Sequence, residues 1–130
     1  MALCSKRTMN HEEIAAIERG IGIELPDSYK QIMLNYPEAL LESDAQDYGL
    51  LNDAEVIIEE NTDVRKNGYF GEPWPERYFI IGINGMGDYF VINHQEKEFQ
   101  VGFADHEAMA CTAYAQNLPE FIQKYLAEYE

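Results

Sequence analysis

Three glycines, Gly82, Gly85 and Gly87, stand between two apolar runs in YFIIGINGMGDYFVIN, the stretch from Tyr78 to Asn93. A glycine-rich turn cradles phosphate when it leads from a strand into a helix, whose first N–H groups then face the anion. The order here is G-x-x-G-x-G rather than G-x-G-x-x-G, and no Lys-Ser or Lys-Thr pair follows. The residues that come next, Tyr89 to Asn93, read as a strand. A hairpin turn from Asn84 to Asp88 is therefore expected, with Asn84-Gly85 as its strongest signal. Asp105-His106-Glu107 offers three metal-capable side chains in a row, but sequence neighbours point in different directions and no fourth ligand is marked. A loop or strand end is the simpler reading. His94 falls at a turn and His11 at a solvated helix start, and HEEIA lacks the second His of a zinc-protease helix. No nucleophile elbow surrounds Ser5, Ser28 or Ser43. Acidic residues are too abundant for any pair to stand out as a glycosidase-like acid and base. No catalytic residue, metal site or cofactor is expected.

Composition narrows the class. The chain has 130 residues, 46% of them hydrophobic, with nine Tyr, six Phe and one Trp. That suits one domain spanning residues 1–130 with a real core and argues against disorder. The formal charge of −15 disfavours nucleic acid, whose phosphates need Lys and Arg, and anionic membrane surfaces. It suits steering toward a basic partner, or solubility alone. No Lys or Arg stands between Lys30 and Arg65, an interval that holds Glu38, Glu42, Asp44, Asp47, Asp53, Glu55, Glu59, Glu60 and Asp63. Cys4 and Cys111 have no metal-type spacing and read as free thiols of a reducing, cytoplasmic compartment. No run approaches the ~18 apolar residues that span a bilayer.

These residues need elements to position them. Asn10 and Glu13 form a capping box for a first helix that carries Ile14 and Ile17 and is expected to close at Gly20. Pro26 suits the first turn of a second helix, with Tyr29, Ile32, Met33 and Tyr36 as its stripe and Pro37 as its stop. Residues 38–48 are acidic and irregular, and Gly49-Leu50-Leu51 reads as a short strand. Asn52 or Asp53 caps a third helix with Ala54, Ile57, Ile58, Asn61 and Val64 on its apolar face, one of them polar, and Gly68 closes it. The run GEPWPE forces extended backbone around Trp74. Strands are expected at Tyr78 to Ile83 and Tyr89 to Asn93, then one through Phe99, Val101 and Phe103, and a short one at Met109 to Tyr114. Asn117 and Glu120 form a second capping box, ahead of a stripe of Leu118, Phe121, Ile122, Tyr125, Leu126 and Tyr129. Helices, then a meander, then a helix predict an α+β fold: a central, mostly antiparallel sheet with N-terminal helices and a C-terminal helix packed against it.

Taken in order, IERGIGIELPDSYKQIMLNY, the Trp after a proline, FIIG with its Gly-Asp turn, and NLPEFIQKYL resemble the signatures of the SUKH superfamily, Smi/Knr-like branch. The resemblance runs from about residue 10 to residue 128. Leu25, Pro26 and Tyr29 match the first signature; Trp74, Gly82, Gly87 and Asp88 match the second. Tyr36-Pro37 stands where relatives often have Asn-Gly, and Asn93 where an Asp often ends the strand. The resemblance implies an α+β fold. It further implies either a bacterial immunity protein that binds and neutralises a polymorphic or contact-dependent toxin, often a nuclease, or a regulatory scaffold domain as in fungi. The expected partner is a basic protein toxin, and the chain is a monomer or weak homodimer. The candidate partner-binding residues are Asp44, Asp47, Asp53, Glu55, Glu59, Trp74 and Asp88. Trp74 is open between a core plug and a partner anchor, and Asp88 between supporting the turn and touching a partner.

Overall fold

Helix α1 (His11–Ile21) begins at the expected capping box. The Glu13 N–H donates to the Asn10 side chain at 2.8 Å, and the Asn10 N–H donates to the Glu13 carboxylate at 3.0 Å. The computed structural model describes residues 9–36, 49–83, 87–105 and 110–129. The helix runs past Gly20 and closes at Gly22, whose φ of 84° is the left-handed conformation that glycine adopts freely. Gly20 has a packing role instead: a Cβ there would lie 3.3 Å from Ile58 Cγ2. Its absence lets α1 approach the third helix closely.

Helix α2 (Asp27–Leu34) starts one residue later than expected, because Pro26, at φ −63° and ψ 145°, is the extended N-cap and not a first-turn residue. Tyr29 and Met33 are buried, and the buried Tyr36 hydroxyl donates to the Leu50 carbonyl. Helix α3 (Ala54–Asn67) is capped by Asp53, which accepts from the Glu55 N–H at 2.9 Å. Gly68 ends it at a φ of 82°, where a Cβ would meet the Glu72 carbonyl oxygen at 2.7 Å. Helix α4 (Leu118–Tyr129) follows Asn117, which accepts from the Glu120 N–H at 2.8 Å. The return arm of this box reaches Gln116 N rather than Asn117 N.

Five strands form one antiparallel sheet in sequence order: β1 (Gly49–Leu50), β2 (Tyr78–Ile83), β3 (Tyr89–Asn93), β4 (Val101–Asp105) and β5 (Ala110–Ala115). With four helices among the described residues, this is the α+β architecture expected. Phe99 is buried but precedes β4, so the third long strand starts two residues later than its alternation suggested.

The sheet is covered on both sides, unequally. Phe79, Ile81, Phe90 and Ile92 join Ile17, Tyr29, Phe121 and Tyr125 in the main core. Ring centroids lie 5.4 Å apart for Tyr29 and Phe79 and 4.9 Å apart for Phe90 and Phe121. The intervening residues Ile80, Val91 and Ala104 face the other way, onto Val64 and Tyr69. Burial on both faces explains why Phe79 to Ile81 and Phe90 to Ile92 read as continuous apolar runs.

The outer edge of β2 exceeds the two residues of β1. Asn61 on α3 covers part of the remainder: its amide donates to the Ile80 carbonyl at 3.1 Å, and its carbonyl accepts from the Ile80 N–H at 2.8 Å. Further along, the Arg65 guanidinium donates to the carbonyls of Tyr78 at 3.1 Å and Glu76 at 3.0 Å. A helix side chain thus supplies the ladder that a longer strand would have made. Among the described residues no helix is long and apolar enough to cross a membrane.

Candidate functional site

The third helix turns one charged face outward. Glu55, Glu59 and Asp63 are exposed and recur every fourth residue, which stacks them on one face about 5–6 Å apart. Glu12, Glu13 and Arg19 of α1 share a surface groove with Glu55, so the packing of α1 on α3 brings two further carboxylates and one cation, far away in sequence, beside this face. Asp53 belongs to the same region, but its carboxylate is occupied by the Glu55 and Val56 N–H groups. Glu60 accepts from the Tyr89 hydroxyl at 2.8 Å. Asp44 and Asp47 lie outside the described residues, as do His106, Glu107 and Cys4.

Trp74 stands elsewhere, over the second face of the sheet. Its ring is half-buried, makes edge contacts with Tyr69 at 5.4 Å and Tyr89 at 5.9 Å, and donates from Nε1 to the Tyr78 carbonyl at 3.0 Å. It is both a plug and a wall. Tyr69 holds this cluster to the sheet, its hydroxyl lying 2.7 Å from the Gly87 carbonyl oxygen and 3.0 Å from that of Ala104. Asp88 is buried, 6% exposed. Burial first, then the nearby charges of Asp88 and Asp105, hold the Tyr69 phenol above its ordinary range. His94 is enclosed at the end of β3, with Nε2 3.0 Å from the Glu76 carbonyl, and ties down the segment that carries Trp74.

Phe70 is the one large hydrophobic residue that is exposed among those described, at 61%. It sits in a tight turn closed by the Tyr69–Glu72 bridge, at a φ of 49°, with Gly71 following at 87°. Two successive positive φ values define a type I′ turn, whose first central position favours Asn, Asp or Gly over Phe. The clue in the sequence is the density of rings: Tyr69, Phe70, Trp74 and Tyr78 fall within ten residues.

Beyond Trp74 the second face is concave and, among the described residues, open. A hollow of about 310 Å³ lies among Tyr69, Pro73, Trp74, Tyr78 and Cys111. A second, of about 490 Å³, lies along Val91, Gly102, Cys111 and Ala113. Tyr78 and Cys111 border both. Burial raises the Cys111 thiol above its ordinary value, against the opposing influence of the Tyr78 side chain and Arg77. No cluster of three His, Cys, Asp or Glu suited to a metal ion occurs among the described residues.

An antiparallel sheet backed by helices on one face and partly open on the other is a scaffold for presenting surfaces. The family model of the SMI1 / KNR4 family (SUKH-1) matches residues 8–124, and the chain belongs to that family. A comparison with curated proteins finds no match.

Proposed function

We propose that this chain is an immunity protein of the bacterial type, acting as one domain that binds a cognate polymorphic or contact-dependent toxin without covalent chemistry. The observation that carries the reading is membership of the SMI1 / KNR4 family across residues 8–124. The charge of −15 and the Glu55, Glu59, Asp63 stripe support a basic partner. If that partner is a nuclease, its substrate groove is basic, and carboxylates spaced along a helix can occupy it as phosphates would. Opposite potentials speed encounter, and desolvated pairs slow release.

The test is co-expression with candidate toxin domains drawn from the genes adjacent to the one that encodes this chain. Growth rescue, together with a complex whose association rate falls as salt is raised, is the expected result. Neither rescue nor binding would overturn the reading and leave a regulatory or scaffold domain as the alternative.

A further inference from the structure

We propose that the open part of the second sheet face is a docking groove for an extended, basic segment of a partner protein. The inference goes beyond the toxin reading and does not depend on it.

Three observations carry it. The first is shape. The two hollows meet at Tyr78 and Cys111 and follow the sheet out to β5, the last strand, so a chain can enter from that edge. The floor is low because position 102 is glycine: a Cβ there would lie 2.9 Å from Cys111 Sγ and 3.5 Å from Val91 Cγ2. The second is chemistry. Asn93 and Gln100 line the larger hollow and offer side-chain donors and acceptors, and Thr112 borders it with its backbone carbonyl. A peptide backbone can use such groups, whereas a small molecule needs polar groups that converge. The third is charge. Glu72, Glu96 and Glu98 line the hollows, and among the described residues no Lys, Arg or His does. Lys97, between two of these glutamates, lines the hollows on the α2 side, which Glu96 and Glu98 border as well. Arg77 is close by, stacked over the Tyr78 ring at 4.6 Å. The charge pattern therefore gives the bound segment a direction. An apolar or aromatic side chain belongs at the Trp74–Tyr78 end, and Lys or Arg belongs beside Glu96 and Glu98.

The chain carries its own reporters. Trp74 is the only tryptophan and forms the groove wall, and Cys111 lies where the hollows join. The probe is a capped peptide of alternating valine and lysine, compared with valine–glutamate and valine–serine counterparts, titrated into the full chain carrying Cys4→Ser. The valine–lysine peptide is expected to change Trp74 emission saturably and to slow iodoacetamide capture of Cys111. Glu96→Lys with Glu98→Lys, and separately Ala113→Phe, should each weaken it by about tenfold or more, while Glu55→Lys with Glu59→Lys leaves it within about twofold. Thermal melts check that Ala113→Phe folds, and the two exposed charge reversals serve if it does not. The proposal is overturned if the valine–lysine peptide fails to saturate, or if the valine–glutamate peptide binds equally well. It is also overturned if only the α3 reversals abolish binding, or if Ala113→Phe instead dissociates a dimer of this chain. Peptide binding can fail while growth rescue succeeds, and the reverse, so the two readings fall separately.

Discussion

Phe70 shows how a single residue can oppose its own backbone. Its φ of 49° is the left-handed region, which costs a bulky residue about 1–3 kcal/mol. Its ring contact with Tyr69, at 4.9 Å between centroids, returns about 0.5–1.5 kcal/mol, and at 61% exposure little burial is added. The strain wins. Phe70→Asn, which tolerates that conformation, is expected to raise unfolding stability by about 1 kcal/mol in a urea titration. A fall would mean that ring packing outweighs the backbone. The sequence drew notice to Trp74 and passed over its neighbours, because Trp is recognisable alone while Phe70 gains meaning only from its dihedral angle. Asp53 illustrates the converse. Its N-cap role was legible in the sequence, and the structure has the same carboxylate occupied by two N–H groups.

At the scale of elements, Asn61 carries the join between helix and sheet. In the sequence it is a polar gap in an apolar stripe; in the fold it is fully buried and bonded to both backbone groups of Ile80 and to the Ile57 carbonyl. Asn61→Leu keeps the volume but leaves the Ile80 N–H and C=O without those partners, at about 1–3 kcal/mol for each group. A loss of about 2–5 kcal/mol is expected in chemical denaturation. A loss below about 1 kcal/mol would show that water reaches this edge. Caps and stripes were readable because they are local: Asn10 with Glu13, Asp53, Asn117 with Glu120. Helix ends and strand starts were less so. Gly20 resembles a terminator, yet Ile58 from another helix determines its use. Phe99 continues an alternation that pairing with β3 and β5 does not.

At the scale of the molecule, the tyrosines link fold to pH. Burial first of all holds the phenols of Tyr29, Tyr36, Tyr69 and Tyr89 well above their ordinary value; Glu60 adds to the effect at Tyr89. Unfolded tyrosines ionise near ~10. The folded state therefore keeps protons that the unfolded state loses, and stability falls as pH rises beyond ~10. Tyrosinate absorbance from these four should emerge cooperatively with loss of the circular dichroism signal. Smooth titration with the fold intact would contradict this burial.

What the sequence determined by itself was whatever local periodicity and composition encode. That includes the helices and their caps, the two central strands, the α+β order, the sign of the charge, and the resemblance that the family match bears out. Tertiary structure alone decided which acids share a surface and which face of the sheet stays open. Glu12 and Glu13 meet Glu55 only because α1 lies against α3. Tyr78, Gly102 and Cys111 form one groove only because β2, β3, β4 and β5 pair one after another across the sheet. Strand pairing joins residues that no short window of sequence contains, so a surface made by pairing is invisible until the chain is folded.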